Sequence, residues 1–175
     1  MIRYISLLRG INVSGQKLIK KDDLIKLYDS LGFKNIVTFI QSGNVLFSSS
    51  KTDIDKLTKS IEKQIRGIFG FDVAVIIYTK AELGEIINKC PFSDRDESKI
   101  YVTLLKDIPA SILSDELKKM AAPNEDYLIF HRAVYFYFPN GYGHTKLSNN
   151  YIERKLKVTA TTRNWKTITS IYELA

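Results

Sequence analysis

The order in which strand-like and helix-like hydrophobic patterns follow one another constrains the fold of this chain more than any other feature. In the first half, an apolar strand pattern is followed by a helical stripe, two β-rich runs, a second helical stripe and a buried-looking strand. This is the β-α-β-β-α-β order of a ferredoxin-like unit, in which the strands form one antiparallel sheet.

Local signals set the bounds of these first elements. Strands are predicted at 2–9, 35–41, 45–49 and 72–78, and helices at about 22–31 and 53–69. The first helix would be capped by Asp22 or Asp23, and the second by Thr52 or Asp53. Gly43 marks a tight hairpin between the second and third strands, because glycine tolerates positive φ.

The second half repeats this order imperfectly. The predicted elements are a connecting helix, a strand, a helix, a hairpin, a helix, a short β-branched run and a final helix, at 80–88, 98–106, 109–120, 126–138, 148–156, 158–162 and 163–174. We therefore predict an α+β fold of two tandem ferredoxin-like halves with antiparallel sheets. The halves span 1–79 and 80–175 and pack closely, and the second is modified and closed by a C-terminal helix.

Composition narrows the protein class. The 175 residues are 45% hydrophobic and 26% charged, as in an ordinary globular protein. No apolar run approaches the roughly 20 residues of a membrane helix, and Met1 leads directly into a strand without a signal peptide. Cys90 is the only cysteine and there are two histidines, so neither a disulfide framework nor a Cys/His zinc site is expected. We expect a cytoplasmic protein without metal, cofactor or membrane contact.

The charge is uneven as well as high. Of the net +7, residues 1–80 carry +6, from 13 basic and 7 acidic side chains, and 140–175 carry 6 basic against 2 acidic. A positive face could attract nucleic acid or a phosphate-bearing small molecule. Lysines that only keep the surface solvated are the alternative.

Two polar, glycine-containing segments are candidate binding loops in the first half. Gly10-Ile11-Asn12-Val13-Ser14-Gly15-Gln16-Lys17 is not a phosphate-binding P-loop, because its lysine falls one place late and the next helix begins too far on. In a ferredoxin-like sheet the first two strands finish at the same end, so this loop and the first hairpin would share an edge. The candidate ligand-binding residues there are Arg9, Asn12, Lys17, Gln41, Ser42 and Asn44. Ordinary turn chemistry is the alternative.

The C-terminal segment Thr161-Thr162-Arg163-Asn164-Trp165 is a third candidate. A threonine would cap the last helix with Arg163 in its first turn, where amides, hydroxyls and a guanidinium could cradle an anion. Alternatively Arg163 pairs with a carboxylate, and Trp165 simply anchors the helix in the core.

Other polar residues are weaker candidates. His144 could act as a general base and Lys146 could bind an anion ahead of a helix capped by Ser148. His131 is expected within a strand. The aromatic run 135–138 fits either RNA stacking or a sheet that is packed on both sides.

Three motifs resemble a bacterial family catalogued as a domain of unknown function, number 1697. They are LLRGINVSGQ near the start, FIQSGNVLFSS after the first helix and TATTRNWKTI near the end. The resemblance implies a cytoplasmic α+β protein of two related ferredoxin-like halves without an established activity. The matching positions are Arg9, Gly10, Asn12, Gly15, Gln41, Ser42, Gly43, Asn44, Lys146, Thr161, Thr162, Arg163, Asn164 and Trp165.

Three functions remain open at this point. The first is a basic polar pocket, formed by the N-terminal loop, the first hairpin and the TTRNW segment, that binds a phosphate-bearing ligand or nucleic acid. The second is an enzyme that acts on a small anionic substrate in the same pocket, although the motif loops carry no acidic residue to hold a metal. The third is a structural or partner-binding protein whose loops only interlock.

Overall fold

The computed structural model of the chain describes residues 1–39, 43–110 and 114–175. Its first elements are β1 Ile2–Leu8, α1 Lys21–Ser30, β2 Lys34–Phe39, β3 Asn44–Ser49, α2 Ile54–Phe69, β4 Val75–Thr79 and α3 Lys80–Asn88. The others are β5 Ile100–Leu105, α4 Ser114–Met120, β6 Asp126–Phe130, β7 Ala133–Tyr137, α5 Asn149–Leu156, β8 Ala160–Asn164 and α6 Trp165–Leu174.

The strands form two four-stranded antiparallel sheets. The strand orders are β2-β3-β1-β4 and β6-β7-β5-β8, which is the same order twice. Each is the ferredoxin-like arrangement, in which the first and third strands of the unit are central. The predicted α+β fold of two such halves closed by a C-terminal helix is confirmed.

The chain forms two compact units. Unit 1 consists of residues 1–83 and 171–175, and unit 2 consists of residues 84–170. Each unit contains one of the two sheets.

The core of unit 1 lies between its sheet and helices α1 and α2. Four aromatic side chains stack at its centre, with the Phe33 and Phe47 ring centroids 4.4 Å apart and those of Tyr4 and Phe47 5.5 Å apart. The fourth ring, Tyr28, is fully buried, and its hydroxyl hydrogen-bonds Ser6 Oγ at 2.6 Å. Such ring pairs add to the stabilisation that burial alone gives.

The aromatic run 135–138 contributes to the core of unit 2. Phe136 and Phe138 are fully buried and stack at 4.9 Å between centroids. On the alternate side, buried Tyr135 donates its hydroxyl proton to the Ile86 carbonyl at 2.7 Å. These rings therefore pack in the core, as one of the two sequence interpretations predicted, and are not free for base stacking.

Helix α2 begins and ends where local signals predicted. The Asp53 carboxylate accepts a hydrogen bond from the Lys56 amide, and Gly70 closes the helix at a φ of 77°. A side-chain cap satisfies one of the free amides of the first turn, and glycine adopts the left-handed terminus without strain. The predicted cap of α5 by Ser148 is also confirmed, since its Oγ accepts from the Tyr151 amide.

Two predicted details are wrong, and a third falls partly outside the described residues. Helix α1 begins at Lys21 after the cap residue Lys20, so neither Asp22 nor Asp23 caps it. His131 lies in the exposed β6–β7 turn at a φ of 48°, not in a strand, because the hairpin reverses there. Of the predicted helix 109–120, Ser111 lies outside the described residues.

In the described part of the chain, no helix is both long and apolar enough to cross a membrane.

Candidate functional site

The N-terminal loop, residues 9–20, is a small structure with its own hydrogen bonds. Val13 and Gln16 form a β-bridge, and five loop residues have positive φ: Gly10, Asn12, Ser14, Gly15 and Lys17. The Asn12 side chain closes the loop, because its amide nitrogen donates to the Ile19 carbonyl at 3.1 Å and its oxygen accepts from the Ile19 amide at 2.9 Å. Asn12, predicted to bind a ligand, thus also holds the loop in place.

Arg9 and Lys17 connect this loop to the segment that leads into β4. The Arg9 amide donates to the Ala74 carbonyl at 2.9 Å, which continues the β1–β4 pairing by one residue. The Lys17 Nζ donates to the Asp72 carbonyl at 2.7 Å, although the lysine side chain is exposed. These contacts hold the start of the loop and its Lys17 against the segment that leads into β4.

The N-terminal loop and the first hairpin lie at the same end of the sheet. Leu7 pairs with Asn44 across β1 and β3, and the Leu8 amide donates to the Gly43 carbonyl at 2.8 Å. Asn44 is fully buried, and its amide nitrogen donates to the Phe39 carbonyl at 3.0 Å. Asn44 therefore closes the hairpin. Gln41 and Ser42 lie outside the described residues.

Gly43 is the point where hairpin and loop touch. A Cβ atom at this position would lie 2.6 Å from Ile11 Cδ1 and 2.9 Å from Leu8 Cβ. Because real Cβ contacts are essentially never that short, the position needs glycine for space as well as for its φ of 74°. Buried Ile11 can pack against the hairpin only because that side chain is missing.

A cavity of about 590 Å³ opens beside this contact. The described residues that line it come from the loop, the start of α1, β2 and the hairpin: Ile11, Asn12, Leu18, Ile19, Lys20, Lys21, Leu24, Thr38 and Gly43. Pockets that hold small organic ligands have roughly this size, about 300–1,000 Å³. We call it the α1 cavity.

The start of α1 gives the cavity its charge. Within the described residues, the side chain of the N-cap residue Lys20 makes no capping hydrogen bond, and the exposed side chain of Lys21 follows it. Lysines are unfavourable at the positive end of a helix dipole, and the acidic Asp22 and Asp23 of the first turn offset them. Neither acidic residue is among those lining the cavity. The cavity wall therefore includes the N-terminal end of α1 and two basic residues, Lys20 and Lys21.

Thr38, one of the residues that line the cavity, carries a buried hydroxyl. Among the described residues, its Oγ1 is the buried side-chain oxygen that lacks a hydrogen-bond partner. A buried hydroxyl without a partner destabilises a fold by about 1–3 kcal/mol.

In unit 2, the TTRNW segment differs from its prediction. Residues Ala160–Asn164 form β8, and α6 begins only at Trp165. Neither threonine caps the helix, because Asn164 Oδ1 accepts the hydrogen bond from the Thr167 amide at 2.8 Å. Arg163 consequently lies in a strand, opposite Val102, and not in the first turn of a helix.

The polar side chains of β8 bond within unit 2. The Arg163 guanidinium donates to the Thr161 hydroxyl at 2.7 Å and to the Thr162 carbonyl at 2.9 Å. The Thr162 hydroxyl lies 2.7 Å from that of Thr103 and donates to Asn149 Oδ1 at 3.0 Å. Burial lowers the pKa of Arg163 to about 10, so it remains a cation at neutral pH.

Lys146 and His144 lie on the surface of unit 2. His144 ends a short 3₁₀ turn, Tyr142–His144, and both side chains are exposed. Trp165 is buried, as the core interpretation predicted. In the described part of the chain, no group of three or more His, Cys, Asp or Glu residues is placed to hold a metal ion.

The structure thus brings together Arg9, Asn12, Lys17 and Asn44 at one edge of unit 1. That Lys146 and the TTRNW residues join them in one site stays a prediction. Sequence reasoning missed Ile11, Leu18, Lys20, Lys21 and Thr38, which line the cavity. The signal available for two of them was the Lys20-Lys21 pair directly ahead of an acidic helix start.

Comparison with known proteins finds a solved structure with a similar fold. The conserved bacterial protein SP0830 from Streptococcus pneumoniae has a solved structure that matches 99% of this chain and 98% of its own, with a TM-score of 0.76 and 21% sequence identity. At that identity the likeness concerns the fold alone. No curated protein is significantly similar in sequence to this chain.

A family described as "Protein of unknown function (DUF1697)" matches residues 1–135. Because this match spans well over half of the chain, the protein belongs to the DUF1697 family.

Proposed function

We propose that unit 1 binds a phosphate-bearing ligand, either a small molecule or a segment of nucleic acid, in the α1 cavity. The observation that carries the proposal is the position of the cavity at a helix start whose cap residue is a lysine. Helix N-termini bind phosphate because free amides point at the anion and the dipole favours negative charge. Here Lys20 and Lys21 add two basic residues to the lining of the cavity.

Energetics supports an anion at this place. A lysine at the positive end of a helix dipole is unfavourable by roughly 0.3–1 kcal/mol, and Asp22 and Asp23 offset this for Lys20 and Lys21. An anion in the cavity would add a favourable interaction with both lysines and with the dipole. The loop that contributes to the cavity wall is held by the two hydrogen bonds between Asn12 and Ile19, so little ordering would accompany binding.

The test is thermal unfolding at low salt with inorganic phosphate, nucleotides, sugar phosphates and short RNA and DNA. A ligand at a hundred times its Kd stabilises by about 2.7 kcal/mol, which raises the Tm of a protein of this size by roughly 5–10 °C. The variant Lys20→Ala/Lys21→Ala should lose that rise. Lys59→Ala is the matched control, since Lys59 is exposed on α2 and does not line the cavity.

The set of compounds also separates the two ligand classes. Nucleic acid that contacts several phosphates should bind with a steep dependence on salt concentration, whereas one phosphate monoester should give a shallow one. If none of the compounds raises the Tm, or if the double variant responds like the wild type, the proposal is wrong.

For the TTRNW segment, the hydrogen bonds of Arg163 and Thr162 within unit 2 favour the structural alternative. On this view Arg163→Ala lowers the stability of the protein and leaves the phosphate-dependent rise in Tm unchanged. A lost rise in this variant would instead support the participation of the segment in the binding site.

A further inference from the structure

The wall of the α1 cavity contains several apolar side chains, which the binding of a phosphate group alone does not need. Ile11, Ile19 and Leu24 are buried in the protein and contribute to its wall. Leu18 also lines the cavity, yet 66% of this residue is exposed to solvent. A large apolar side chain at the mouth of a pocket gains stabilisation when a ligand removes it from water.

We propose that the ligand is an amphipathic organic phosphate, with its phosphate at the Lys20–Lys21 end and an apolar or aromatic body against Leu18. This inference rests on the proposed function, since it names the class of ligand for the same cavity. It makes Leu18 a specificity-determining residue that distinguishes such compounds from equally charged polar ones.

The geometry supports a body of substantial size. A cavity of about 590 Å³ is far larger than one phosphate group needs, and it falls in the range of sites that enclose small organic molecules, about 300–1,000 Å³. The cationic residues follow Leu18 and Ile19 directly in the chain, so charged and apolar contacts adjoin within four consecutive residues. A ligand that satisfies both must itself carry a charged end beside an apolar part.

The experiment is a calorimetric titration of the full chain with 1-naphthyl phosphate, glucose 6-phosphate and inorganic phosphate. The three probes carry similar charge and differ in the body attached to it. We expect 1-naphthyl phosphate to bind at least about tenfold more tightly than the other two. Leu18→Ser should remove about tenfold of that affinity and leave the binding of inorganic phosphate unchanged.

We expect Leu18→Ser to fold as the wild type does, because the side chain is mostly exposed. Ile68→Ser is the matched control, since Ile68 is a 54% exposed apolar residue on α2 that does not line the cavity. Its affinities should equal those of the wild type.

The outcomes separate the two proposals. Equal affinity for all three probes overturns the inference and leaves the phosphate site standing. An unchanged affinity of Leu18→Ser for 1-naphthyl phosphate also overturns it. Binding of none of the probes overturns the inference and the small-molecule form of the proposed function, and the thermal screen with RNA and DNA then tests the remaining form. If 1-naphthyl phosphate binds Lys20→Ala/Lys21→Ala as tightly as the wild type, the proposed site is wrong.

Discussion

Replacing Gly43 by alanine tests the contact that joins the first hairpin to the N-terminal loop. The new methyl group would lie 2.6 Å from Ile11 Cδ1 and 2.8 Å from Ile11 Cγ1, and Ile11 is buried. The backbone at Gly43 also has a φ of 74°, where a residue with a Cβ is strained. The substitution therefore adds two separate penalties.

Their sizes can be worked out separately. The left-handed conformation costs a non-glycine residue about 1–2 kcal/mol. Forcing a methyl group into a packed site costs about 1–3 kcal/mol. We therefore expect Gly43→Ala to lower the free energy of unfolding by about 2–5 kcal/mol, and the Tm by roughly 5–15 °C. Urea unfolding followed by circular dichroism measures the first quantity, and a thermal scan measures the second.

Gly10→Ala is the matched control. Gly10 has a φ of 69°, and no atom lies within 4 Å of a Cβ built there, so only the conformational penalty of about 1–2 kcal/mol remains. A second check is Gly43→Ala in an Ile11→Val background, where the shortest contact is removed and the penalty should shrink. Equal destabilisation by Gly43→Ala and Gly10→Ala would refute the steric argument.

Three further predictions concern the same unit. Thr38→Val should raise the free energy of unfolding in urea by about 1 kcal/mol, because it removes a buried hydroxyl without a partner among the described residues; a loss of stability would contradict this. Asn12→Ala should lower the free energy of unfolding by about 2 kcal/mol through its two hydrogen bonds to Ile19, and amide exchange at Ile19 should accelerate. Burial raises the pKa of Tyr28 above its usual 10.0, so the folded state keeps a proton that the unfolded state releases. Stability should therefore fall as pH rises above about 10, and Tyr28→Phe should flatten that fall in urea titrations at pH 8 and pH 11.

The elements of the fold could be predicted where the signal is local. Asp53 and Gly70 delimit α2 because a carboxylate and a glycine supply what its two ends need. The strand order followed from the β-α-β-β-α-β pattern in both halves. The start of α1 could not be predicted in this way, since its cap residue is Lys20 and no side-chain acceptor marks it.

The C-terminal strand shows why a local signal can mislead. Thr161, Thr162 and Asn164 are all ordinary cap residues, so several helix starts were compatible with the sequence. Pairing with β5 decides among them, because Thr161 to Asn164 each find a partner from Leu104 to Tyr101. That pairing connects residues about 60 positions apart, and no window of the sequence contains it.

The sequence could predict that the N-terminal loop and the first hairpin lie together, but it could not predict the contacts that they make. The strand order alone placed the N-terminal loop and the first hairpin together. It could not show that the amides of Asn12 and Asn44 bond to the backbone of their own turns. Nor could it show the cavity, because Ile11, Leu24 and Thr38 lie far apart in the chain and meet only in the folded unit.

Comparison of the two units shows how Gly43 makes room for the N-terminal loop. Leu8 donates to the Gly43 carbonyl and Arg9 to that of Ala74, while in unit 2 Leu105 donates to the Arg132 carbonyl and Lys106 to that of Thr159. Two equivalent hydrogen bonds are thus found at the same end of both sheets. In this comparison Gly43 corresponds to Arg132. In unit 2 the Arg132 side chain folds back so that its Nε donates to the Leu105 carbonyl. In unit 1 the missing side chain leaves room for Ile11, and the loop that carries Ile11 forms one wall of the cavity. The absence of a side chain at Gly43 therefore allows the N-terminal loop to pack against the first hairpin.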